Sequence, residues 1–200
     1  MTRRGIWWGV GTLVVLIAMG LGLYLYQQQL KAPSTGEPRG GPIELPSTEG
    51  AFSLSQLDDD QLAVVFFGYT WCPDVCPMSL AVVRQVMERL DPAQRRRVVP
   101  LMVSVDPERD TLARLEEYLT FFGDDFIGAT GSQQVLEELA ERYGVIWRKV
   151  ETPDSAMDYT IDHSASLFLV NRNGDIVRRV LHSPTSGPLH AALGEALAEG

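Results

Sequence analysis

Leu62-Ala63-Val64-Val65-Phe66-Phe67-Gly68-Tyr69-Thr70-Trp71-Cys72-Pro73-Asp74-Val75-Cys76-Pro77 holds most of what decides the fold. Its first six residues are a continuous apolar run, the mark of a strand buried on both faces and therefore central in a sheet. A second, nearly continuous run spans 98–105. Between the two, Leu80, Val83, Met87 and Leu90 recur at helical spacing, with Arg84 and Glu88 on the other side. Pro77 suits a first helical turn, where its missing N–H costs no bond. Strand, helix and strand in that order predict a βαβ unit. Its loop 68–77 lies at the carboxyl end of the first strand, where open α/β sheets place their sites.

Further along, a second helix is expected after Asp110, and a third carries Val135, Leu136, Leu139 and Tyr143 on one stripe. Strands are expected over 145–150 and 157–161. A hairpin of 166–170 and 176–180 follows, turned by Asn171-Arg172-Asn173-Gly174. An amphipathic helix over 188–197 closes the chain. A βαβ half, a hairpin and a terminal helix are the order of a thioredoxin-like domain, an α/β fold with a central mixed sheet flanked by helices.

The front of the chain is different. Arg3 and Arg4 precede an uncharged stretch over 5–26, which as a helix reaches about 33 Å, enough for the hydrocarbon core of a bilayer. Trp7 and Trp8 at one end and Tyr24 and Tyr26 at the other fit interfacial aromatic belts, and the two arginines place the N-terminus in the cytoplasm. A cleaved signal peptide has a shorter apolar region and a small-residue cleavage site, whereas Gln27-Gln28-Gln29 follows here. Residues 1–27 are therefore read as a cytoplasmic tip and an uncleaved transmembrane anchor, 28–42 as a flexible Pro- and Gly-rich linker, and 43–200 as the exported domain.

The whole chain of 200 residues has 17 Lys+Arg against 26 Asp+Glu, a net charge of −9. That acidic balance argues against a general nucleic-acid binder. Two cysteines are too few for a disulfide-stapled miniprotein, and 45% hydrophobic residues too many for wholesale disorder.

Cys72 and Cys76, four apart at a helix start, can face the same way, and the positive end of the helix favours thiolate over thiol. Such a pair can close a permanent disulfide, exchange one, or hold a soft metal ion. Met78, two places after Cys76 on the helix, points elsewhere. His182 and His190, among Ser, Thr, Pro and Ala near the C-terminus, read as surface residues. His163 stands just ahead of the strand 166–170. In thioredoxin-like proteins that segment faces the cysteine loop and usually carries a cis-proline, which is absent here. His163 is thus a candidate third ligand.

The run from Gly41 to about Gly174 resembles the Sco/SenC proteins, membrane-anchored copper-binding factors of cytochrome c oxidase assembly. The motifs that carry the resemblance are Phe67-Gly68-Tyr69-Thr70 leading into Cys72-Pro73-Asp74-Val75-Cys76-Pro77, then Ser104-Val105-Asp106-Pro107-Glu108-Arg109-Asp110-Thr111, and Asp162-His163-Ser164. Asp58-Asp59-Asp60 departs from the Gly-Lys turn usual in the family, and Leu112 from a common Pro. The resemblance implies Cys72 and Cys76 as thiolate ligands and His163 as the imidazole ligand of copper, Cu(I) or Cu(II). It implies a copper metallochaperone in a bacterial inner membrane, its domain periplasmic, serving the binuclear copper site of cytochrome c oxidase subunit II and working with other copper chaperones or thiol reductants. The alternative is a thiol–disulfide oxidoreductase that uses Cys72 and Cys76 as a redox-active pair to keep the cysteines of that subunit reduced. A peroxiredoxin-like peroxidase fits less well, because Thr70 is two rather than three residues before Cys72. Asp74 and Asp162 flank the ligands as solvated carboxylates, and the segment 106–111 is expected to order its loop rather than bind metal.

Overall fold

The computed structural model describes residues 17, 19–22, 38–152 and 157–199. The chain divides into two units, 1–36 and 37–200. In the first, residues 17 and 19–22 are helical and exposed. The rest of the expected span over 5–26 lies outside the described residues, as do positions 28–37 of the expected linker. Among the described residues no helix is long and apolar enough to cross a membrane.

The second unit is an α/β domain with a seven-stranded mixed sheet in the order β2-β1-β5-β4-β3-β8-β9. The strands are β1 (Glu44–Ser47), β2 (Gly50–Ser53), β3 (Leu62–Gly68), β4 (Val98–Ser104), β5 (Ile127–Ala129), β8 (Leu167–Val170) and β9 (Ile176–Val180). Strands β3, β4 and β5 run parallel, and the outer pairings are antiparallel. All seven residues of β3 are buried, as its unbroken apolar run requires. The helices are α1 (Val75–Met87), α2 (Pro92–Arg95), α3 (Leu112–Thr120), α4 (Gln133–Tyr143) and α5 (Gly187–Glu199). Helix α1 packs against α5, and α3 against β5.

Strands β1, β2 and β5 were not expected from the sequence. Strand β5 has three residues, too few to show a period. Strand β1 contains Pro46, which argues against a strand. It is tolerated because β1 is matched to β5 only at Ser47.

The last five residues of the expected linker are laid on the domain instead. Arg39 and Gly40 donate their N–H groups to Arg142 O at 3.0 and 3.1 Å, and Gly41 donates to Gly174 O at 2.8 Å. The Tyr143 hydroxyl donates to Gly41 O at 2.7 Å. A Cβ on Gly174 would stand 2.4 Å from the Gly41 carbonyl carbon, so the backbones touch because residue 174 has no side chain. Gly-rich composition here permits close contact rather than freedom.

A separate two-stranded sheet, β6 (Trp147–Glu151) and β7 (Tyr159–His163), starts two residues later in each strand than the sequence suggests. Val145 is not in a strand. It closes α4, donating its N–H to Ala140 O at 2.8 Å past Gly144, which is left-handed at φ 61°. The shift changes the place of His163, which ends β7 opposite Trp147 rather than standing in a loop.

Candidate metal centre

Strand β3 delivers the chain to the cysteine loop, and the segment after β4 holds that loop in place. The buried Asp110 carboxylate accepts from Thr70 N–H at 3.0 Å, from the Thr70 hydroxyl at 2.6 Å and from the Ser104 hydroxyl at 2.7 Å. Burial outweighs these bonds and raises the Asp110 carboxyl above its ordinary range. The segment 106–111 thus orders the loop, as its sequence suggested.

Helix α1 begins at Val75, and Asp74 at its N-cap makes no side-chain capping bond. The backbone N–H groups of Asp74 and Cys76 at this end of the helix face the Cys72 sulfur. Cys76 N–H donates to Cys72 Sγ at 3.4 Å. Both cysteines are free thiols. They differ in surroundings: Cys72 is half-buried, whereas Cys76 has no exposed surface. The Cys72 thiol is held down to about 3, first by its hydrogen bond with Cys76 and further by the backbone N–H groups of Asp74 and Cys76, with burial opposing. Burial pushes the Cys76 thiol up, and the negative charge on Cys72 adds to it. One sulfur is a thiolate and its neighbour keeps the proton.

The Cys76 sulfur fits beneath the end of β3 because residue 68 has no side chain. A Cβ there would lie 2.9 Å from Cys76 Sγ and 2.5 Å from the Phe66 ring.

His163 Nε2 reaches Cys76 Sγ at 3.2 Å. Its Nδ1 lies 3.1 Å from Ser164 O. A carbonyl only accepts, so that contact assigns the proton to Nδ1 and leaves Nε2 as the bare nitrogen facing the sulfur. This is the form in which imidazole binds a metal. The ring stands edge-on to Phe66 and Tyr69, at centroid distances of 6.0 and 5.9 Å.

The ligand atoms of Cys72, Cys76 and His163 all lie within 4.8 Å of one another, a group that could hold one metal ion. Asp74 is exposed, and Asp162 is exposed and pairs with Arg148 at 3.2 Å, so both are the solvated carboxylates expected. His190 is exposed, but His182 is not an ordinary surface residue. It is half-buried, with Nδ1 3.1 Å from the Ser79 hydroxyl on α1. Tyr69, Arg109 and Tyr159 were not singled out from sequence. They carry no metal-ligand chemistry, and only the folded chain brings them together.

Comparison with known proteins identifies the family. The profile of the SCO1/SenC family matches residues 31–198. An SCO2-like protein of Rickettsia conorii is 31% identical over 170 residues, which cover 85% of this chain and 82% of that protein. Arabidopsis thaliana ScoI with copper bound superposes with a TM-score of 0.72 at 30% identity, covering 80% of this chain and 99% of that one. Bradyrhizobium japonicum ScoI with copper bound gives 0.69 at 34% identity, covering 79% and 99%. By the span of the profile and by these likenesses, this chain belongs to the SCO1/SenC family.

Proposed function

We propose that this chain is a copper metallochaperone, which holds copper on Cys72, Cys76 and His163 and passes it to the binuclear copper site of cytochrome c oxidase subunit II. The observation that carries the reading is the convergence of two sulfurs and one bare imidazole nitrogen within 4.8 Å, in a family with copper-bound members of known structure. Two thiolates and an imidazole suit Cu(I) by softness and accept Cu(II) with an added oxygen ligand. Copper here is cargo. Cys72, half-exposed and already a thiolate, receives the ion without first losing a proton. It is also the ligand that a partner's donors can displace first. Cys76 and His163 stand behind it, the histidine preset by Ser164 O. In this reading residues 5–26 anchor the chain in a bacterial inner membrane with the domain on the periplasmic side.

The unequal thiols favour a second reading, a thiol–disulfide oxidoreductase. The Cys72 thiolate would attack a partner's disulfide to give a mixed disulfide. Cys76 would then attack Cys72 Sγ and release the partner as a dithiol, leaving Cys72–Cys76 oxidised.

His163→Ala separates the two. For a chaperone it weakens copper binding about 10–100-fold, leaves the cysteines able to form and break their disulfide, and accumulates oxidase lacking subunit II copper. Wild-type copper affinity in this variant, or normal oxidase maturation despite lost affinity, refutes copper delivery and leaves the reductase.

A further inference from the structure

The third ligand is not part of the seven-stranded sheet. It sits at the end of β7, and among the described residues no strand ladder joins the β6–β7 hairpin to that sheet. Its position relative to the cysteines therefore depends on side-chain contacts.

Those contacts centre on Arg109. Its Nη1 donates to Met157 O at 3.0 Å and to Tyr159 O at 3.1 Å, the carbonyls on either side of Asp158. Asp158 is in the left-handed region at φ 56°. The Arg109 Nε donates to Asp106 Oδ2 at 2.6 Å, while the Tyr159 hydroxyl donates to Oδ1 of the same carboxylate at 2.7 Å. The guanidinium carbon lies 3.6 Å from the Tyr159 ring centroid and 5.8 Å from those of both Tyr69 and Trp71. Tyr69 completes the link, its hydroxyl accepting from Ile161 N–H in β7 at 3.1 Å. One planar cation thus touches the loop that carries Cys72 and the strand that carries His163.

We propose that Arg109 is the positioning residue for His163, its guanidinium fork, held by Asp106, fastening the base of the histidine hairpin to the cysteine loop so that the imidazole arrives preorganised. Arg109 shares no hydrogen bond with Cys72, Cys76 or His163 among the described residues, so it acts through Tyr159 and Tyr69. The fork is essential to the assignment. A lysine keeps the charge but cannot bond Asp106 through one nitrogen while reaching two carbonyls with another.

This inference rests on His163 as a copper ligand, and its test has one arm that needs no copper. In the reduced, metal-free protein, amide exchange at Ile161, Asp162 and His163 is expected to quicken by about tenfold or more in Arg109→Ala and in Arg109→Lys, with β3 and β4 unchanged. In the copper arm, both variants weaken binding by about tenfold and lose the nitrogen hyperfine signal of the Cu(II) spectrum. The double variant Arg109→Ala/His163→Ala binds no more weakly than His163→Ala, because Arg109 acts through that histidine. Wild-type exchange at β7 in both variants overturns the proposal. So does a lysine variant that behaves as wild type, which makes charge alone sufficient, or a double variant whose loss is the product of the single losses. Should Arg109→Ala fail to fold, Arg109→Lys carries the same readouts. Absence of copper binding by the wild type refutes the chaperone reading, while the exchange arm still decides the role of Arg109.

Discussion

His163 Nε2 lies 3.2 Å from Cys76 Sγ, although 87 residues separate the two in the chain. The contact joins a fully buried sulfur to a half-buried imidazole. Cys76 is enclosed under the end of β3, and the imidazole has its other nitrogen tied to Ser164 O. Of the two sulfurs Cys72 is the accessible one, half-exposed at the loop. A buried sulfur, an imidazole and an accessible thiolate suit a soft metal ion.

Gly68→Ala tests the enclosure of Cys76. The new Cβ would lie inside contact distance of both Cys76 Sγ and the Phe66 ring, and overpacking of this kind costs about 1–3 kcal/mol. The expected outcome is a lower thermal midpoint together with copper binding weakened roughly tenfold, as the sulfur is pushed off its position. Calorimetry and a copper titration read both. Unchanged copper affinity would show that the sulfur has room to spare.

The thiol asymmetry predicts a pH profile. A depressed thiol keeps its reactive anion as pH falls and loses it only near its own value, here about 3 for Cys72. Iodoacetamide on the reduced, metal-free protein should therefore modify Cys72 before Cys76, at a rate nearly flat from pH 5 to pH 8. Cys76→Ala removes the largest support of the Cys72 anion, and the rate should then rise with pH across that range. Mass spectrometry of the alkylated peptides distinguishes the sites, and early labelling of Cys76 would contradict the assignment.

Asp110→Ala deletes the acceptor of three buried donors, Thr70 N–H, the Thr70 hydroxyl and the Ser104 hydroxyl. Leaving such groups unpaired costs about 1–3 kcal/mol each when no water reaches them. The variant should lose at least about 2 kcal/mol in denaturant unfolding. Asp110→Asn, which keeps an acceptor oxygen, should lose less. An Ala variant within experimental error of wild type would mean that the start of the cysteine loop is held by something else.

Copper should stabilise the reduced protein by mass action. With free metal at a hundredfold over its dissociation constant the gain is about 2.7 kcal/mol, visible as a raised thermal midpoint. Chelation should reverse it, and oxidation of Cys72 and Cys76 to a disulfide should abolish it, since the thiolates are then spent. A shift that survives oxidation would place the metal elsewhere.

Much of the site was legible in the sequence because its signals are local. The apolar run of β3, the helical stripe of α1 and the cysteine spacing each depend on residues within a turn or two of one another, so they name Cys72 and Cys76 and set them at a helix start. His163 was legible only through a resemblance and through the expected order of strands. Nothing in the spacing of residues 145–163 shows that Val145 is used to close α4, so that both hairpin strands start two residues later and His163 stands opposite Trp147.

Three further features were decided by tertiary structure. Residues 38–42 look like a tether by composition, yet Gly41 lies against Gly174 because residue 174 has no side chain. Arg109 reads as one charge in a polar loop until folding places Asp106, Tyr159 and Tyr69 around it. The fate of the Cys76 proton depends on burial beneath Gly68. Period, capping and turn chemistry act over a few residues and survive in the linear chain, whereas close approach, burial and shared hydrogen bonds depend on which distant segments meet.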